Sequence, residues 1–221
     1  MNRTIIQIYS ELELPPNLQL HMLRTAAVAH LIADNWQGPE LSLRKILRVL
    51  LLHDAGNVVK INYDKSPGVL GADVRDIERW KRLQREFIEK YGTDDHKVSR
   101  RIATECGCSS DELELMDAKV FVKNDITVAL SNFDVKVAAY ADQRVGPQGV
   151  MPLLDRLREA QARYRDVPGS SMNNPRTEFL IDCAQRIERQ VMQFCRLSPE
   201  AITDVTIAPY LEKLRSYEIA G

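Results

Sequence analysis

Apolar residues return every three or four positions along most of this chain. Leu20, Leu23, Ala27 and Leu31 follow Pro15-Pro16 at that interval and predict a helix opened by proline. A second helix is predicted from Ser42, a candidate N-cap, through Ile46, Leu47 and Leu50 to Leu52. It is apolar on several faces, which predicts a central, buried position. Gly56-Asn57 supplies its stop. Residues 62–71 (NYDKSPGVLG) read as a loop. Val74, Ile77, Trp80, Phe87, Ile88 and Tyr91 then mark an amphipathic helix. Thr93 is the expected cap of the next, which carries Val98 and Ile102 and ends near Gly107. Leu113, Met116, Val120 and Phe121 predict another helix.

The spacing of Ile126, Leu130, Phe133, Val137, Ala138 and Ala141 predicts one long helix. Leu153, Leu154, Leu157 and Tyr164 mark a further one. After a polar loop at residues 168–174, Pro175 opens a helix through Leu180, Cys183, Ile187, Val191 and Phe194. Short helical pieces are expected around Pro199 and Pro209. Strand alternation is scarce, and no repeat is visible. The pattern predicts an all-α fold, a compact bundle of about seven to nine helices. With 221 residues the chain suffices for one substantial core. The expected organisation is a single domain: residues 1–150 carry the site, and residues 151–221 pack on the same core or offer a homodimer interface.

Composition changes this picture little. Aromatics are only 6%, so the core must rest on Leu, Ile, Val and Ala. A net charge of −1 argues against a broad nucleic-acid-binding or membrane-binding surface and leaves room for a local basic pocket. Cys106-Gly107-Cys108 is too tight for the usual zinc spacing, so all four cysteines read as reduced thiols. The start lacks the apolar stretch of a signal peptide, and the expected location is cytoplasmic.

The chemistry lies in the polar residues that sit least comfortably. His53-Asp54 closes the most apolar helix, LRVLLLHD. A carboxylate carried into a core costs several kcal/mol unless it is paired. Imidazole and carboxylate side by side suit a divalent ion. Asp142 ends VKVAAYAD and needs a cation, either Arg144 or a metal. His21 lies in the first helix and can point inward. His30 is nine residues on, half a turn out of phase, and reads as a surface or packing histidine.

These residues resemble the H…HD…D pattern of the HD superfamily of metal-dependent phosphohydrolases. His21, His53-Asp54 and Asp142 meet the pattern in order, within LQLHMLRTAAVAHLIADNW, RVLLLHDAGN and VAAYADQRV. The resemblance implies an all-α domain in which His21, His53, Asp54 and Asp142 bind one divalent metal ion, with Mn, Fe, Zn, Ni, Co and Mg as candidates. It implies hydrolysis of a small phosphate ester, nucleotides among the candidates, by a metal-activated water. Arg24, Lys60 and Arg144 are the candidate phosphate clamps, and His96 a further substrate-facing group. Several family members carry an acidic residue three positions after the HD aspartate. This chain has Asn57 there, which orients water or phosphate but takes no proton at neutral pH. Asp64 is the candidate substitute. The same superfamily includes dinuclear-iron oxygenases, and a non-catalytic nucleotide or metal sensor is the third reading. The solitary His96 favours one metal over two.

Overall fold

The computed structural model describes residues 3–64, 76–167, 170, 172 and 174–219. The fold is all-α. Eleven α-helices are present among the described residues, a few more than the periodicity suggests. They are α1 (Ile5–Glu11), α2 (Pro16–Asp34), α3 (Leu43–Leu52), α4 (Ile77–Tyr91), α5 (Asp95–Glu105), α6 (Ser110–Ala118), α7 (Asn124–Thr127), α8 (Phe133–Gln143), α9 (Leu153–Arg163), α10 (Thr177–Met192) and α11 (Asp204–Arg215). Two short antiparallel pairs accompany them. β1 (Arg3–Thr4) pairs with β4 (Glu218–Ile219), and β2 (Val145–Gly146) pairs with β3 (Gly149–Val150). The first ties the two ends of the chain together.

The centre of the fold is α2, packed against α3, α8 and α11. Pro16 sits at its first turn, where the missing N–H costs nothing. Ala26, Ala27 and Ala29 are fully buried and let the neighbouring helices come close. On α3 every residue from Ile46 to Leu52 is buried, as its all-round apolar pattern predicts. α10 packs on α8 and α7, and α9 also touches α8. One hydrophobic cluster runs from Ile5 to Ile219, so the helices after residue 150 share the core of those before it.

Several boundaries differ from the pattern. Residues 126–141 do not form one helix. α7 stops at Thr127, and Asn132 starts α8 afresh by accepting hydrogen bonds from the N–H groups of Asp134 and Val135. Asp94, not Thr93, caps α5 through the Lys97 N–H. Ser42 precedes α3 but makes no side-chain cap. α10 begins at Thr177, two residues after Pro175. A short 3₁₀ turn, Pro199–Ala201, matches the piece expected there, but the one around Pro209 is a full helix, since α11 runs for three turns through Pro209. Pro209 gives up only the hydrogen bond to the Val205 carbonyl, and Val205 is 82% exposed, so water can take it. Val74, and much of the expected loops at 62–71 and 168–174, lie outside the described residues. No helix among the described residues is long and apolar enough to cross a membrane.

After α3 the chain tightens into a 3₁₀ turn, Ala55–Lys60, packed against α5. Gly56 makes that approach possible. Its N–H donates to Ser99 Oγ (2.9 Å). A Cβ added there would collide with the Asp95 carbonyl oxygen and lie 2.5 Å from the Ser99 nitrogen. Both obstacles are backbone and cannot swing away. Gly56→Ala is therefore expected to destabilise the fold by about 1–3 kcal/mol, the usual cost of overpacking. Urea denaturation checks this, and an unchanged midpoint would contradict the close packing.

Candidate metal centre

Three core helices deliver one polar residue each to the same point. α2 supplies His21, the end of α3 supplies His53 with Asp54 behind it, and α8 supplies Asp142. His21 Nε2 lies 3.4 Å from both Asp54 Oδ2 and Asp142 Oδ1. His53 Nε2 lies 3.2 Å from Asp142 Oδ1 and 3.5 Å from Asp54 Oδ1. The two imidazole rings are 5.5 Å apart at an angle of 56°.

The direction of the His53 ring decides what this cluster needs. Its Nδ1 lies 2.7 Å from the Leu50 carbonyl oxygen. A carbonyl only accepts, so Nδ1 carries the proton and donates. In the neutral ring Nε2 is then a bare lone pair, and it faces two carboxylates that are also acceptors. This arrangement is repulsive unless a cation or an extra proton lies among the three groups. His21, His53 and Asp142 form a group that could hold a metal ion, with one ligand atom each and all within 4.8 Å of one another. The spacing fits as well. Donor atoms around a tetrahedral ion with bonds of about 2.0–2.1 Å lie about 3.3–3.4 Å from one another. Asp142 Oδ1, at 3.4 and 3.2 Å from the two histidines, matches that value, whereas Asp54 turns a different oxygen to each histidine and is not one of those three residues.

The cluster is partly open to solvent. The His53 side chain is 1% exposed, while those of His21, Asp142 and Asp54 keep 20%, 23% and 28%. Solvent or a small ligand thus reaches three of the four residues. Both carboxyls are held ionised. Burial acts to raise the Asp142 pKa, but the Lys119 ammonium, then His53 and His21, outweigh it and hold the group well below the usual carboxylate range. For Asp54 the same contest is won by His53 and His21 against burial and the Asp142 charge.

Lys119 is the residue that sequence reading missed. Its Nζ donates to Asp142 Oδ2 at 2.7 Å, and it is almost wholly buried at the end of α6. At Oδ2 the cation beside Asp142 is therefore Lys119, not Arg144, while Oδ1 is left facing the two histidines. The signal was faint but present: Lys119 follows Met116 by three residues, on the buried face of that helix. Arg156 was also missed. It sits on α9 with Nε donating to the Val145 carbonyl (2.7 Å). Burial, then the nearby Arg163, lower its pKa, while the charge of Asp142 works in the opposite direction.

The other expected residues divide. Lys60 lies on the Asp54 side of the cluster. Burial disfavours its charge, but Asp54 and a 2.5 Å bond to Asp95 more than offset this and raise its pKa. Asn57 follows Asp54 by one 3₁₀ turn, its N–H donating to the Asp54 carbonyl (2.9 Å). Arg24 turns to Asp204 at the start of α11 (3.1 Å). His96 is half-exposed and pairs with Asp117 (2.9 Å). Asp64 is exposed and pairs with Lys81 (2.7 Å). The Arg144 guanidinium is buried among Tyr140, Met151, Pro199 and Ile202. His30 is a packing residue, 8% exposed, with its ring against Tyr210. The four cysteines are free, and burial pushes their thiols up, Cys108 to about 11. No family model matches this chain, and no curated protein or solved structure matches it either.

Proposed function

We propose that this protein is a metal-dependent phosphohydrolase of the HD type, acting on a small phosphate ester, with nucleotides among the candidate substrates. The supporting observation is the His53 ring, oriented by the Leu50 carbonyl so that Nε2 faces the carboxylates of Asp54 and Asp142. His21, His53, Asp54 and Asp142 would hold one divalent ion. Such an ion lowers the pKa of a bound water and offsets charge on phosphoryl oxygens.

The chain's own residues do the rest. Leu50 fixes the tautomer and orientation of His53. Asp54 and Asp142 stay deprotonated at neutral pH and so remain available as ligands. Lys60, whose charge interacts with Asp54, and Arg156, whose charge interacts with Asp142, are the candidate cations for phosphate oxygens. Asn57 beside Asp54 offers an amide to orient water or phosphate, without accepting a proton. His96 and Asp64 have partners of their own and are not assigned a part in the reaction.

Titration of metal-free protein with Mn²⁺, Zn²⁺, Co²⁺ and Ni²⁺, followed by phosphate release from a panel of monoesters and diesters, tests this reading. One equivalent of metal and metal-dependent turnover are expected. Metal-independent turnover would overturn it. A specific observation favours one rival: Asn57 stands where an acid would serve proton transfer. Tight binding of phosphate esters with no turnover of any ester would shift the reading to a sensor.

A further inference from the structure

We propose that Lys119 is the positioning residue of this centre: it commits Asp142 to one coordinating oxygen and gives the loaded site a net positive charge matched to a phosphate anion. The inference rests on the phosphohydrolase reading above and deepens it. Lys119 is 3% exposed and so does not reach a substrate. It acts through Asp142.

The two oxygens of Asp142 are divided. Oδ1 faces both histidines, at 3.4 and 3.2 Å. Oδ2 is taken by the Lys119 ammonium at 2.7 Å. Asp54 differs, because it turns one oxygen to each histidine. For Asp142 to become bidentate, or to bridge to a second ion, Oδ2 would have to share its lone pairs with the Lys119 ammonium, which disfavours both. The neighbouring Lys123 donates to the Asp117 carbonyl (2.7 Å) and does not share this task.

Charge gives the second half of the argument. Two carboxylates and one divalent ion sum to zero when the imidazoles are neutral. Lys119 raises the total to a single positive charge. A fixed positive charge this close repels the metal ion slightly and attracts an anion bound to it. The two effects have opposite signs, which separates this role from a merely structural one.

The experiment uses Co²⁺, inorganic phosphate and the full chain. In Lys119→Met, Co²⁺ affinity is expected to rise. Phosphate affinity of the Co²⁺-loaded protein should fall by about tenfold or more. The visible Co²⁺ spectrum should change as Asp142 takes a second bond to the ion. Lys119→Gln keeps a donor without the charge. It should lose phosphate affinity to the same degree with the wild-type spectrum retained. If Lys119→Met fails to fold, the Gln variant decides alone. Phosphate affinity unchanged in the variants, or Co²⁺ and phosphate affinity falling together, overturns the proposal while the metal reading stands. Wild-type protein that takes up no Co²⁺ overturns the metal reading, and this proposal with it.

Discussion

Replacing His53 by alanine is expected to abolish stoichiometric metal binding and, with it, turnover of any phosphate ester by about a thousandfold or more. The side chain is 1% exposed and supplies the one donor whose direction is fixed by a backbone carbonyl. Without it, His21, Asp54 and Asp142 are left with two carboxylates and a single imidazole. Asp54→Asn is the gentler companion. It keeps the volume, removes the charge, and alters a residue that is 28% exposed, so the fold should tolerate it. Elemental analysis of the purified variants gives the metal content directly. A thermal readout gives it independently. An ion at about a hundred times its dissociation constant stabilises a folded protein by about 2.7 kcal/mol. For a chain of this size that is about 5–11 °C in Tm. Wild type should show the rise, and both variants should lose it. Metal content and metal-induced stabilisation unchanged in both variants would remove the basis for the site.

His53, Asp54 and Asp142 stood out in the sequence because each one breaks a pattern that the core enforces. A histidine and an aspartate at the end of LRVLLL have no apolar reason to be there, and neither has an aspartate after VAAYA. The helices that carry them were legible for the complementary reason: α2, α3 and α8 bury nearly continuous apolar runs. What failed was the reading of cations. Arg144 is two positions from Asp142 in sequence, but residues two apart on a helix diverge by about 200°. Lys119 comes from another helix, twenty-three positions earlier. Only the packing of α6 against α8 brings it to Asp142.

Period alone also misled at residues 126–141. Ile126, Leu130 and Phe133 keep helical spacing across a break. Ile126 is 56% exposed, so its place in the period reflects no buried face. Asn132 carries the better signal, since Asn before Phe-Asp is a cap in search of two N–H groups. The break sets where α8 begins, and α8 carries Asp142 in its last turn.

Arg144 yields the largest expected effect on stability. Its Nε donates to the Met151 carbonyl at 2.5 Å and one Nη to the Tyr140 hydroxyl at 2.5 Å. The other Nη donates to the Pro199 and Ile202 carbonyls at 3.1 and 3.0 Å. Glu188 balances the charge from 3.8 Å and accepts from the Tyr140 hydroxyl at 2.8 Å. One side chain therefore joins α8, α10, the segment after β3 and the approach to α11. Arg144→Met fills similar space but strands a partly buried carboxylate and several carbonyls. The expected cost is about 3–5 kcal/mol. That is about 6–20 °C in Tm for a chain of this length. Arg144→Lys should recover only part, since one ammonium cannot span the same fork of acceptors. Chemical denaturation of the metal-free proteins measures both costs. The rival expectation, Arg144 as a phosphate clamp, predicts the reverse: intact stability and weakened phosphate binding. A folded Arg144→Met that binds metal and phosphate like wild type, yet melts far earlier, assigns the residue to the scaffold. A loss below about 1 kcal/mol would show that the buried fork contributes little, against the usual cost of an unpaired buried charge.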